Sequence, residues 1–319
     1  MDLRPPGRYY RPVASVGKLA AKIKLRGRVA TAEPMRAHTS FRLGGPADLY
    51  LAPADPEDLS SALAALRAEG VPAFLLGGGT NLLVADRGIR GAVIDLAGIR
   101  SLEAGPGTVS ALCGTPMDEA ACFAMDRALS GLEFAASLPG TVGGAVWMNA
   151  RCYEREVADA LESVECLDAD LVLRRRRVEA GAWGYKRSPF QSTPEVIVRA
   201  VFRLHPGDPA AIEGEMRSYR EDRVAKGHFL YPCAGSVFKN DRSFGKPTGR
   251  LIDELGLKGL SIGGARVAPF HGNIIVNLGD ATAADVRALI ERVEREVADR
   301  VGLRLEREVI LAGDWGERP

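Results

Sequence analysis

PAFLLGGGTNLLV, Pro72 to Val84, runs a short apolar strand (residues 73 to 76) straight into Gly77-Gly78-Gly79-Thr80-Asn81. Three glycines after a strand present consecutive backbone N–H groups with no side chain in the way. A pyrophosphate needs that kind of concave nest of amides, with Thr80 and Asn81 adding side-chain donors and Leu82 counted with the same site. The spacing fits neither G-x-x-x-x-G-K-[ST] nor a G-x-G-x-x-G opening a helix, which excludes a P-loop and a dinucleotide site of the common βαβ kind. A structural turn explains this loop equally well on its own. A second stretch, SLPGTVGGAVWMNA from Ser137 to Ala150, strips side chains from Pro139-Gly140-Thr141-Val142-Gly143-Gly144-Ala145 and reads as a loop after a helix. Two such loops suggest a long, bent ligand touching backbone twice, as a flavin dinucleotide would.

Around these loops the pattern alternates. Strands are expected near Asp48 to Leu51 and Gly91 to Leu96, with a helix between them opened by Asp55 and Pro56 and closed at Gly70. Thr115, Pro116 and Asp118 open another helix, running through Ala128. Further strands are expected at Val164 to Leu167, Leu171 to Arg174 and Glu195 to Leu204. Asp208 and Pro209 start a helix to Ala225 and mark the division between a first half with the glycine loops and a second half. In the second half, strands at Gly235 to Lys239, Ala265 to Val267 and Asn273 to Asn277 alternate with helices, the clearest being Ala283 to Arg300, opened by a Thr282-x-x-Asp285 capping box.

Composition narrows the classes. The chain has 319 residues, 46% hydrophobic and 26% charged, and 42 Lys and Arg nearly balance 41 Asp and Glu. This excludes polyelectrolyte character, and no apolar run reaches the ~20 residues needed to span a bilayer. A cytoplasmic protein is expected, without nucleic-acid partner or membrane insertion. Residues 1 to 28 are strongly basic and read as a frayed or poorly packed extension. Arg174 to Arg177 read as a solvated turn or sheet edge. Five scattered cysteines and four dispersed histidines support no disulfide framework and no metal site.

The second half carries YPCAGSVFKN, Tyr231 to Asn240, in which Ala234-Gly235 place Ser236 on a tight turn entering a strand. A surface turn is the commoner meaning of such a string. Near the C-terminus, Glu308 lies in a hydrophobic strand and could face this serine.

GGGTN at Gly77, LPGTVGGA at Leu138, GYKRS at Gly184, AGSVFKN at Ala234, LIDELGLKG at Leu251 and LEREV at Leu305 together resemble the UDP-N-acetylenolpyruvoylglucosamine reductases, also called UDP-N-acetylmuramate dehydrogenases. The likeness covers roughly residues 30 to 312. It implies an α+β protein: a two-subdomain FAD-binding domain of the vanillyl-alcohol-oxidase (PCMH) type plus a C-terminal α+β substrate domain, of the shorter type lacking an extra tyrosine-bearing loop. The implied division is a basic extension (1–28), FAD subdomains (29–98 and 99–207) and a substrate domain (208–319). The implied cofactors are FAD and NADPH and the implied substrate a UDP-sugar, in a monomer or weak oligomer.

By the same resemblance Ser236 is the proton donor, Glu308 assists at the charged intermediate, and Tyr185, Arg187, Lys226 and Asn240 contact substrate or phosphates. The family usually reads G-Y-R-x-S where this chain has Gly184-Tyr185-Lys186-Arg187-Ser188. Register assigns the catalytic cation to Lys186, and lysine offers a point charge without arginine's planar fork. Cys233 and Asp241 also depart from the family's serine and proline. Two other functions remain open on the sequence: an oxygen-using FAD oxidase of the same fold, and a non-catalytic nucleotide-binding module.

Overall fold

The computed structural model describes residues 16–179 and 181–316. Strand Ala73–Leu76 lies beside Ile89–Asp95, which pairs in parallel with Pro46–Ala52, itself antiparallel to Arg28–Pro34. The helix Pro56–Ala68 covers one face of this mixed sheet. Asp55 caps it by accepting from the amides of Glu57 and Asp58, with Pro56 at the first helical position. Leu59, Leu63 and Leu66 then fall on one stripe and are fully buried.

A second, antiparallel sheet orders Leu173–Arg177, Leu161–Leu167, Val196–Arg203, Thr108–Leu112 and Leu102–Gly105. Leu173–Arg177 is its exposed edge, and arginines on an unpaired edge discourage further pairing. The third sheet, Cys233–Ser236, Ile274–Asn277, Ala265–Val267 and Ser261–Ile262, packs under the Ala283–Val301 helix, whose Thr282–Asp285 capping box forms as expected.

Three expectations change. Residues 16 to 28 are packed rather than frayed: the Val16–Lys22 helix buries Leu19, Ile23 is buried after it, and Lys22 pairs with Glu69. Residues 1 to 15 lie outside the described residues. The helix after Thr115 is shorter, Met117–Met125, and Thr115 does not cap it, because its hydroxyl bonds Ser101 instead. The stretch from Ser137 to Ala150 is only partly loop: Val142–Met148 is a helix, capped by Thr141.

The chain's end crosses back. Ile310–Ala312 pairs in parallel with Leu82–Val84, and Ala312 is buried with Met35, Leu76 and Val93 in the core of the first sheet. In the opposite direction Phe41, Leu43 and Leu83 are buried with Val237, Ile252 and Leu289 in the core of the last domain. Asp86 adds a polar join by accepting from the amides of Ala283 and Ala284 at the start of the long helix.

Candidate active site

The two glycine stretches face each other across one cleft. A Cβ on Gly78 would fall 2.7 Å from the Cα of Gly140, and one on Gly77 would fall 2.7 Å from Thr141 Oγ1. Backbone therefore packs on backbone here, and any side chain would push the loops apart. Gly79 is turned to φ +62°, where its Cβ would lie 2.0 Å from the His38 carbonyl. Among the described residues the amides of Gly78, Gly79 and Thr80 donate to no protein acceptor, although Gly79 is buried. Buried N–H groups left without partners mark a place for a ligand's oxygens.

The side chains expected to add donors here do something else. Thr80 Oγ1 bonds the Pro139 carbonyl at 3.4 Å, tying loop to loop, and Asn81 Nδ2 bonds the Glu308 carbonyl at 3.0 Å. Both reach protein acceptors first, so the main-chain amides remain for the ligand.

A cavity of about 310 Å³ opens on these loops. Gly77 to Leu82, Pro139 to Thr141 and Gly143 to Ala145 line it, together with Ser236, Lys186 and Glu308 from three other segments. Val142 does not: its side chain is fully buried and its amide bonds the Thr115 carbonyl.

Ser236 ends the strand Cys233–Ser236 rather than preceding one, since the ladder continues beyond it only through other partners. The amides of Glu308 and Val309 both donate to the Val237 carbonyl, at 2.8 and 3.2 Å, which sets Glu308 beside the serine's strand. Behind it, Asn273 is 2% exposed, accepts from the Phe238 amide at 2.9 Å and donates to the Phe238 carbonyl at 2.7 Å. An isolated asparagine gives no such signal in sequence.

Lys186 Nζ lies 2.6 Å from Glu308 Oε1, with side chains 12% and 10% exposed. Lys186 occupies the turn Gly184–Arg187 at φ +57°, a left-handed conformation costly for a residue with a Cβ. Three buried or half-buried contacts hold that turn: Asn149 Nδ2 to the Gly184 carbonyl, Gln191 Nε2 to the Lys186 carbonyl and Ser188 Oγ to the Trp147 carbonyl. Arg187 points to solvent, outside the cavity lining.

Three further residues read from sequence stand apart from the cavity wall. The Asn240 amide donates to Tyr185 Oη at 3.3 Å, while Asn240 Oδ1 accepts from the Thr248 amide. Lys226 is exposed and paired with Asp222 at 2.7 Å. Conversely, Arg223 and His228 are among the cavity-lining residues that sequence reading missed. Arg223 keeps a buried Nε without a partner among the described residues. His228 stands against the ring of His271, with centroids 5.8 Å apart. Burial, then the charges of Arg223, His271 and Lys226, pull His228 down to about 4. No cluster of three or more potential metal ligands occurs among the described residues.

Residues 47–173 match the sequence profile of an FAD binding domain, and with two sheets meeting at the glycine loops they define an FAD-binding protein with an added α+β domain. Residues 227–312 match the profile of the UDP-N-acetylenolpyruvoylglucosamine reductase C-terminal domain. A reductase of that name from Treponema denticola is 42% identical over 91% of this chain and 95% of its own. One from Geobacter metallireducens is also 42% identical, over 92% and 97%. The crystal structure of the Thermus caldophilus enzyme superposes with a TM-score of 0.75 at 33% identity, covering 91% of this chain and all of that one. The chain belongs to the UDP-N-acetylenolpyruvoylglucosamine reductase family.

Proposed function

We propose that this protein reduces the enolpyruvyl group of a UDP-sugar to give UDP-N-acetylmuramate, a step of peptidoglycan precursor synthesis, with FAD and NADPH. The observation that carries this reading is the Lys186–Glu308 pair at 2.6 Å in the wall of the cavity that Ser236 and both glycine loops also line. The unpartnered amides of Gly78 to Thr80 fit the pyrophosphate of FAD. Bound FAD supplies hydride transfer, from the nicotinamide to the substrate's vinyl carbon.

The chain's own groups handle charge and the proton. Hydride addition to a vinyl ether bearing a carboxylate builds negative charge beside that carboxylate, and the ammonium of Lys186 is the cation placed to stabilise it. Ser236 then donates its hydroxyl proton to the carbanionic carbon. A hydroxyl is a weak acid, so its alkoxide must regain a proton at once. Glu308, tethered by its amide to Val237, is the group we assign to assist at the charged intermediate, by holding the Lys186 ammonium in place. Arg223, with its unpartnered Nε, is a counter-charge for substrate or dinucleotide phosphate. Tyr185, Lys226 and Asn240 take outer positions, suited to the nucleotide end of the ligand.

The division into 29–98, 99–207 and 208–319 is kept as part of this reading, supported by one sheet of four or five strands in each. Among the described residues no helix is long and apolar enough to cross a membrane. We place the enzyme in the cytoplasm as a monomer or weak oligomer with no nucleic-acid partner. The test is anaerobic: NADPH bleaches the yellow protein, and the enolpyruvyl UDP-sugar restores the colour. A flavin that this sugar leaves reduced overturns the assignment.

A further inference from the structure

Beneath the first glycine loop lies a polar cluster that the reaction does not use. His38 stands over three neighbouring strands of the first sheet, each contributing one partner. Glu33 Oε1 lies 2.9 Å from Nε2, while Tyr50 Oη and Asp95 Oδ2 lie 3.3 and 3.5 Å from Nδ1. The side chains of His38, Glu33 and Asp95 are 17%, 13% and 11% exposed, and Tyr50 is buried.

The proton inventory is restrictive. Tyr50 donates its only proton to Asp95 Oδ2 at 2.5 Å, so its oxygen can only accept from the ring. Glu33 is already the acceptor of both Nη groups of Arg28, at 2.9 and 2.6 Å. The hydrogen bonds from Arg28 come first among the causes that hold its carboxyl below the usual range. Burial, then Asp95, pushes the Tyr50 phenol up, so it remains a proton carrier. Both ring nitrogens of His38 therefore face acceptors.

The same residue backs the loop. The His38 carbonyl occupies the place a Cβ on Gly79 would need, and Ser40 donates through its amide and its hydroxyl to the Gly79 carbonyl, at 3.1 and 3.3 Å. From the other side, Asp95 pairs in register with Leu76, the residue before Gly77, and its Oδ1 accepts from the Ala97 amide.

We propose that His38 is a positioning residue of the flavin site: clamped by Glu33, Tyr50 and Asp95, it locks residues 38 to 40 under Gly79 and so fixes the amides that receive the dinucleotide. This rests on the FAD reading above. Without the ring its three partners lose the group that joins them, and the backing of Gly79 loosens.

The experiment is a titration of apoprotein with FAD, followed by flavin fluorescence at a temperature where thermal melts show each protein fully folded. Expected is a Kd roughly tenfold higher in His38→Ala, with His38→Gln, whose amide restores a donor, recovering part of the loss. Glu33→Gln, which weakens the clamp from the other side of the ring, should raise the Kd as well and serves if His38→Ala does not fold. Equal affinity in variants and parent overturns the proposal, as does a loss that His38→Gln does not relieve at all. Failure of the unsubstituted apoprotein to bind FAD counts against the flavin reading itself.

Discussion

Lys186 and Glu308 meet at 2.6 Å although 122 positions separate them, and each arrives from a backbone tied down independently of the other. Asn149 and Gln191 hold the lysine's turn, and Val237 and Asn81 hold the glutamate's segment, which precedes the strand Ile310–Ala312 rather than lying in one. The pair is therefore preorganised, and taking away one member leaves the other as a nearly buried charge.

Lys186→Met should slow product formation by roughly 10²- to 10³-fold, the range for loss of one preorganised charge-stabilising donor. Lys186→Arg should recover part of that loss. Stopped-flow traces of flavin reoxidation by the UDP-sugar measure both. A fully active methionine variant would remove the lysine from the mechanism.

Ser236→Ala should leave bleaching by NADPH close to normal while product formation falls by several powers of ten. The two half-reactions are read separately at the flavin absorbance. Matching losses in both would make the serine a structural residue.

Gly78→Ala places a methyl 2.7 Å from the Cα of Gly140. Overpacking of this kind costs about 1–3 kcal/mol, and here it also separates the two halves of the cradle. Expected are a lower Tm and protein purified largely free of flavin. Normal yellow colour and Tm would mean the loops yield without cost.

Asn273→Ala removes the partner of both the amide and the carbonyl of Phe238. Leaving such buried groups unpaired costs about 1–3 kcal/mol each way of counting. Urea unfolding should register it, and kcat should fall further than substrate KM changes, because the strand that presents Ser236 loses its backing.

Burial keeps His228 neutral, with its proton affinity lowered to about 4 from 6.5. In the unfolded chain it binds a proton more readily, so its contribution to stability is complete above about 6.5 and is lost as pH falls toward about 4. Melts of His228→Gln against pH should fall less steeply across that window. Parallel curves would show that the ring titrates alike in both states.

The sequence announced what depends on local chemistry. Asp55 with Pro56, Asp208 with Pro209, and Thr282 with Asp285 each name a helix start through the hydrogen bonds their side chains make, and all three form. Thr115 misled because its hydroxyl had a nearer partner in Ser101. The helix at Val142 was hidden by its two glycines, which weaken helix propensity but permit close approach to Cys113 and the cleft. Register separated Lys186 from Arg187 because adjacent side chains diverge. What could not be seen were partnerships across long stretches of chain: Asn273 with Phe238, His38 with Asp95, Arg223 with the cavity. Nothing local marks an asparagine or histidine whose acceptor is dozens of residues away.

Leu82–Val84 and Ile310–Ala312 lie side by side, so a strand more than 220 positions downstream completes the first domain. A nascent chain cannot finish its cofactor pocket until residue 312 has left the ribosome. Translation stopped at 300 would release a product without Glu308 and with an open seam beside the glycine loop. Carboxypeptidase trimming that passes residue 310 should therefore discharge flavin before it abolishes the remaining secondary structure.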